Sequence, residues 1–116
     1  MANFKGIGDF VGTYRGSYDG RNAQVIIQEG AEGEVSFNSL FTVTFTDLDR
    51  NEIYKGIAST PEGVVTHSMS NFQLNRVGGN GSLFWSKLLL HTWDISYLSG
   101  VSVWNNTEFG MSFKRV

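Results

Sequence analysis

The chain has 116 residues, with Lys+Arg 9, Asp+Glu 11, His 2, no cysteine and a formal net charge of -2. That length is one domain, large enough to bury a core without covalent staples. The composition excludes disulfides, thiolate metal sites, iron–sulfur clusters and a cysteine nucleophile. It also excludes a broad basic field for nucleic acid or anionic lipid. With a hydrophobic share of 41% and a charged share of 17%, it excludes disorder.

Met1-Ala2-Asn3-Phe4-Lys5-Gly6 has no basic region followed by an apolar one, so no secretory leader is read there. The run Leu88-Leu89-Leu90 is far short of the roughly 20 apolar residues a spanning helix needs. A soluble protein is expected, cytoplasmic or secreted with a leader that this chain lacks. Asn80-Gly81-Ser82 and Asn105-Asn106-Thr107 match the glycosylation triplet, a pattern that chance supplies in an Asn- and Ser-rich chain.

The chain carries 14 glycines and a single proline, Pro61. Glycines recur between short alternating segments, which predicts an antiparallel all-β domain. Phe4 to Phe10 holds one short helical turn. Phe10 to Tyr18 is the first strand, with Phe10, Gly12, Tyr14, Gly16 and Tyr18 on one face. Asp19-Gly20 is a two-residue hairpin turn, since both central residues of that turn type need positive φ. Ala23 to Gln28 is the second strand, and Glu29 to Gly33 the next loop. Val35, Phe37, Phe41, Val43 and Phe45 fall on odd positions, with Ser and Thr on even ones, as a sheet with one buried face requires.

Asp47 to Asn51 turns the chain into Glu52 to Ala58, and Pro61-Glu62-Gly63 turns it again. Val64 to Leu74 is a long strand, and Gly78-Gly79-Asn80-Gly81 a loop. Leu83 to Trp93 is the most apolar strand. Ile95 to Trp104 follows, broken at Gly100. Asn105-Asn106 turns into the last alternation, Thr107 to Arg115. About eight strands joined by short loops, with no long crossover, predict a single up-and-down barrel over residues 1–116.

The two chain ends resemble a known group of barrels. Phe10-Val11-Gly12-Thr13-Tyr14 is similar to the opening of calycins, where lipocalins, fatty-acid-binding proteins and avidins carry Gly-x-Trp on strand one. In those families an Arg or Lys near the end of the last strand packs over that ring and closes the barrel bottom. Lys114 and Arg115 stand at that place here, and Tyr14 replaces the usual tryptophan. The helical lid of fatty-acid-binding proteins and the C-terminal helix of lipocalins have no counterpart. The resemblance therefore implies a short avidin-like or lipocalin-like barrel, closed by a cation on an aromatic face. It carries over no ligand, because the biotin contacts of avidins have no matching positions.

Asp47-x-Asp49-x-Asn51 opens like a calcium loop and then departs from one. Glu52 replaces the glycine of the sharp turn and Ala58 the bidentate carboxylate, so a hairpin turn is the better reading. His67 and His91 lie on different strands with no third ligand at a selecting distance, and no metal or cofactor is expected. Trp85, Lys87, Leu89, His91 and Trp93 fall on one face of their strand, and Phe84, Ser86, Leu88, Leu90 and Thr92 on the other. Both faces are apolar, so alternation does not say which points inward. No nucleophile elbow or phosphate loop is present, which sets aside hydride and phosphoryl transfer.

Three functional readings follow. The first is a barrel that binds a mostly apolar or aromatic small molecule at one end, in a pocket lined by Tyr14, Tyr54, His67, Trp85, His91 and Trp93. The second is a carbohydrate-binding module that stacks sugars on exposed tryptophans. The third is a cofactor-free isomerase or cyclase using His67, His91 or a carboxylate such as Asp94 or Glu108 as acid or base. The two apolar faces of Leu83 to Trp93 also predict a homo-oligomer, most simply a dimer.

Overall fold

The computed structural model describes residues 2–30, 40–60 and 66–116. The strands run in order as β1 (Gly12–Tyr18), β2 (Arg21–Glu29), β3 (Leu40–Asp47), β4 (Glu52–Ser59), β5 (Ser68–Arg76), β6 (Ser82–Leu90), β7 (Tyr97–Trp104) and β8 (Thr107–Arg115). Each pairs antiparallel with its sequence neighbour, and β8 returns to β1, so the sheet closes into an up-and-down barrel. This is the all-β architecture that the glycine and turn spacing predicts. The expected alternation at Val35 and Phe37, the loop residues 31–33, the turn at Pro61-Glu62-Gly63 and the strand start at Val64 lie outside the described residues.

A 3-10 turn, Ile7–Phe10, precedes β1. The Asp9 carboxylate accepts the backbone N–H groups of Lys5 and Gly6, which fixes this entry. Phe10, Tyr14 and Tyr18 all point into the barrel. Asp19 and Gly20 both have positive φ, 49° and 85°, as the two-residue hairpin requires. In β3, Phe41, Val43 and Phe45 are buried as the alternation predicts. Thr42 is buried too, because its hydroxyl donates to the Gly30 carbonyl.

The barrel bottom is closed by Arg115. Its guanidinium donates to the carbonyls of Asp9, Val11 and Ile95 and to the Tyr14 hydroxyl oxygen. Its Cζ lies 4.6 Å from the Tyr14 ring centroid. Lys114 points the other way, over the outer ring of Tyr97. The Tyr14 hydroxyl in turn donates to the Phe10 carbonyl at 2.7 Å. One cation thus ties the last strand to the first strand, the entry turn and the β6–β7 connection.

Two expectations need correction. Gly100 does not break β7, which runs through it. A Cβ at that position would meet the Lys87 carbonyl and the Met111 methyl, both at 2.6 Å, so glycine there admits a close approach of β6 and β8.

The strict two-face reading of Leu83 to Trp93 also fails. Trp85, Leu88 and Leu90 are all buried, a spacing of three and then two. On β5, Met69, Phe72 and Leu74 show the same irregular step, and Asn71 has φ of 55°. The pairs Met69↔Leu88 and Phe72↔Trp85 stay in register, so β5 and β6 kink together. The extra residue is absorbed against β7, where the register shifts between Trp85 and Lys87. This β-bulge turns Trp85 and Leu88 to the same side. The outward apolar residues of β6 reduce to Phe84 and the half-buried Leu89, which narrows the surface on which the dimer expectation rested. His91 to Trp93 lie beyond the strand, in the β6–β7 connection.

Candidate functional site

In an up-and-down barrel, alternate connections lie at the same end. The β1–β2, β3–β4, β5–β6 and β7–β8 turns therefore share one rim, opposite the end that Arg115 closes. Three of these hairpins and the start of β6 bound a cavity of about 300 Å³. Tyr18, Asp19 and Arg21 come from the first hairpin. Phe45, Asp47, Arg50, Glu52 and Tyr54 come from the second. Leu83, Trp104 and Phe109 complete the wall. The volume is at the lower bound of small-molecule sites, which run from about 300 to 1,000 Å³.

The inner part of this mouth is aromatic. Tyr18 and Phe45 have ring centroids 4.6 Å apart, and Phe109 meets Tyr18 edge-on at 5.2 Å. Tyr54 lies 6.2 Å from Phe45. Below them Trp85 packs on Phe45, at 5.3 Å, and on Phe72. The Trp85 indole N–H is buried beside the Tyr18 hydroxyl and makes no hydrogen bond among the described residues. That hydroxyl lies 2.9 Å from Ser102 Oγ, which turns it into the wall. Burial pushes the Tyr18 phenol above its ordinary pKa, against the pull of Ser102 and Arg21. Trp104 stands at the rim, 59% exposed.

The outer part is charged and internally braced. Asp47 is only 2% exposed, and both its oxygens are engaged. One accepts Arg21 Nε at 2.8 Å and the other the backbone N–H of Arg50 at 3.1 Å. Asp49 accepts the backbone N–H of Asn22, which pins the β3–β4 turn to β2. The Asp-x-Asp-x-Asn segment is thus a hairpin brace. No group of three or more metal-ligating side chains occurs among the described residues. Glu52 accepts the Tyr54 hydroxyl at 3.0 Å and faces Arg76 at 3.6 Å and Arg50 at 4.0 Å. Tyr54 is raised above the usual phenol range, first by burial and then by the Glu52 carboxylate.

The six residues expected to line one pocket do not converge. Tyr54 lines the mouth, and Trp85 packs behind the rings that line it. Tyr14 is sealed at the opposite end. His67, His91 and Trp93 bound a separate, shallow depression outside the barrel, with Leu89, Leu90 and Thr92. There His67 Nδ1 donates to the Leu90 carbonyl, and His91 Nε2 lies 2.8 Å from Ser99 Oγ. Trp93 is 71% exposed. The physical reason is connection parity: His67, His91 and Trp93 sit in or beside the β4–β5 and β6–β7 connections, at the Arg115 end.

Of the two carboxylates considered as acids, neither lines the mouth. Asp94 accepts the backbone N–H of Ser96, which holds its carboxyl below the usual range. Glu108 pairs across from Val103 on the exposed strand start. Sequence reasoning missed Arg21, Asp47, Arg50, Glu52, Trp104 and Phe109. The available signal was that charged residues flank the odd-numbered hairpins, which a closed up-and-down barrel gathers on one rim. No helix among the described residues is long and apolar enough to cross a membrane. Comparison with protein-family models, with curated proteins and with solved structures finds no significant match.

Proposed function

We propose that this protein is a small-molecule-binding barrel that holds a mostly apolar, aromatic ligand in the mouth between its hairpins. The observation that carries the reading is the about 300 Å³ mouth cavity, aromatic within and charged at its rim. Apolar walls with a few fixed polar groups give a ligand both area and orientation. The Asp47 braces to Arg21 and to the β3–β4 turn fix the rim before any ligand arrives, so little ordering accompanies binding. The Arg115 closure supports the calycin-like reading of the fold, since it places a cation over the first-strand ring where those barrels have one.

Native mass spectrometry of the freshly purified chain tests the proposal. A small molecule that co-purifies with the parent and is lost from Trp104→Ala and Tyr54→Ala supports it. Retention by both variants, with loss from Trp93→Ala, places the ligand elsewhere.

One observation favours a second reading. Trp93 presents its ring to solvent beside His67 and His91, an arrangement that suits stacking of a sugar face. Glycan binding that survives Trp104→Ala and disappears with Trp93→Ala selects that reading.

A further inference from the structure

The polar groups of the mouth are unequal in what they leave free. Asp47 has both oxygens engaged, by Arg21 Nε and by the Arg50 backbone N–H. Glu52 accepts the Tyr54 hydroxyl and faces Arg76. The Tyr18 and Tyr54 hydroxyls are both turned to protein partners. Among the described residues, the two Nη groups of Arg21 make no hydrogen bond, and neither does any guanidinium nitrogen of Arg50, whose Nε faces Glu52 at 4.0 Å. Asp19, on the turn, is the one lining carboxylate with no hydrogen-bonded partner among the described residues. The groups of the mouth left without a hydrogen bond are therefore the Arg21 Nη groups, the Arg50 guanidinium and the Asp19 carboxylate, beside an aromatic wall.

Arg21 is also held in place. Its Nε is fixed on a buried carboxylate, and its Cζ lies 5.5 Å from the Tyr18 ring centroid. A guanidinium anchored at Nε keeps its outer pair of N–H groups as a preset fork, the geometry that matches a carboxylate's two oxygens. From this we infer that the mouth takes a flat aromatic acid, its ring among Phe109, Tyr54 and Trp104 and its carboxylate on Arg21 and Arg50. The inference rests on the mouth being the binding site and adds the chemical class of the ligand. A cavity of about 300 Å³ has room for a one- or two-ring compound.

The test uses three probes of one shape: 2-naphthoate, its neutral amide 2-naphthamide, and the cation 2-naphthylmethylammonium. Each is titrated into the full chain by calorimetry at neutral pH. The acid is expected to bind about tenfold or more tighter than the amide, and the cation more weakly than either, since a charge-assisted pair contributes more than a neutral hydrogen bond. Arg50→Gln and Arg21→Gln are expected to bring the acid down toward the amide and leave amide affinity within about twofold. Arg50→Gln leaves Glu52 its Tyr54 and Arg76 partners, so it reports even if Arg21→Gln, which strands Asp47, fails to fold. Equal binding of all three probes, a preference for the cation, or an acid preference unchanged in Arg50→Gln and in a folded Arg21→Gln overturns the inference and leaves the mouth as a site for uncharged rings. Binding of none of the three overturns the mouth reading itself.

Discussion

The Arg115 guanidinium lies over the Tyr14 ring, with Cζ 4.6 Å from its centroid, and also donates to that residue's hydroxyl oxygen at 2.7 Å. The Tyr14 hydroxyl in turn donates its hydrogen bond to the Phe10 carbonyl. A tyrosine at this position gives the cation a ring face and an acceptor at once, whereas a tryptophan offers a face and a donor only. The bottom of the barrel is sealed by this pair, which leaves the hairpin rim as the open end.

Removing the cation is expected to loosen the barrel. Arg115→Ala deletes the ring contact and leaves the carbonyls of Asp9, Val11 and Ile95 without their donor. A loss of about 2–4 kcal/mol is expected in urea unfolding. Lys114→Ala touches only the exposed Tyr97 ring and is expected to cost less than about 1 kcal/mol. Equal effects of the two variants would contradict the assignment of closure to Arg115.

Alkaline pH is expected to weaken the fold through Tyr14. Burial pushes its phenol up to about 12, although the Arg115 charge and hydrogen bond pull the other way. In the unfolded chain the group titrates near 10. Between about pH 10 and 12 the unfolded chain therefore loses this proton while the folded chain keeps it. Stability is fully present below about pH 10 and falls as pH rises through the folded value, by an amount on the order of 2 kcal/mol. Burial raises Tyr18 and Tyr54 as well, so they act in the same direction. The urea midpoint is expected to drop across this window and to drop less steeply in Tyr14→Phe. A midpoint that stays flat up to about pH 11.5 contradicts this.

Trp85 and Trp93 are unequal, one on β6 and the other beyond it in the β6–β7 connection. Trp85 is fully buried among Tyr18, Phe45 and Phe72, and Trp85→Ala is expected to cost about 3–5 kcal/mol. Trp93 is 71% exposed, and Trp93→Ala is expected to change stability by no more than about 0.5 kcal/mol. Strict alternation would put both on one face. Matching losses in thermal unfolding would therefore contradict the placement of Trp93 outside the core.

Gly16 marks the seam where the barrel closes. A Cβ there would run into the Ser112 carbonyl oxygen, with the Phe113 Cα 2.7 Å away. Backbone atoms on the facing strand do not yield as a side-chain tip does. Gly16→Ala is expected to destabilise by about 2 kcal/mol or more, read in urea unfolding. Gly110→Ala on the facing strand meets open space and serves as the control.

Much of the barrel was legible because its turns announce themselves. Asp19-Gly20, Asn105-Asn106, Gly78 and Gly81 carry positive φ values at the turns between strands. The inward rows Tyr14–Tyr18 and Phe41–Phe45 follow from period-two alternation. The paired kink at Asn71 and Ser86 did not show, because a bulge inserts one residue with no composition signal of its own. The site was half legible. Tyr54 was nominated for its chemistry, while Arg21, Asp47 and Arg50 read as ordinary turn charges. Their convergence comes from the β2–β3 pairing, which sets Arg21 beside Asp47 across 26 positions that no local pattern links. His67, His91 and Trp93 were grouped with Tyr54 by residue type, and connection parity separates them.

The three indole N–H groups report three separate places, since Trp85 sits behind the mouth, Trp104 at its rim and Trp93 in the outer depression. An amide-correlation NMR spectrum of the 15N-labelled chain, titrated with a set of small aromatic acids, therefore tests mouth binding directly. Ligand is expected to shift the Trp104 and Trp85 indole signals together, saturably, and to leave Trp93 in place. Shifts confined to Trp93, or no indole shift with any member of the set, would contradict a ligand site in the mouth.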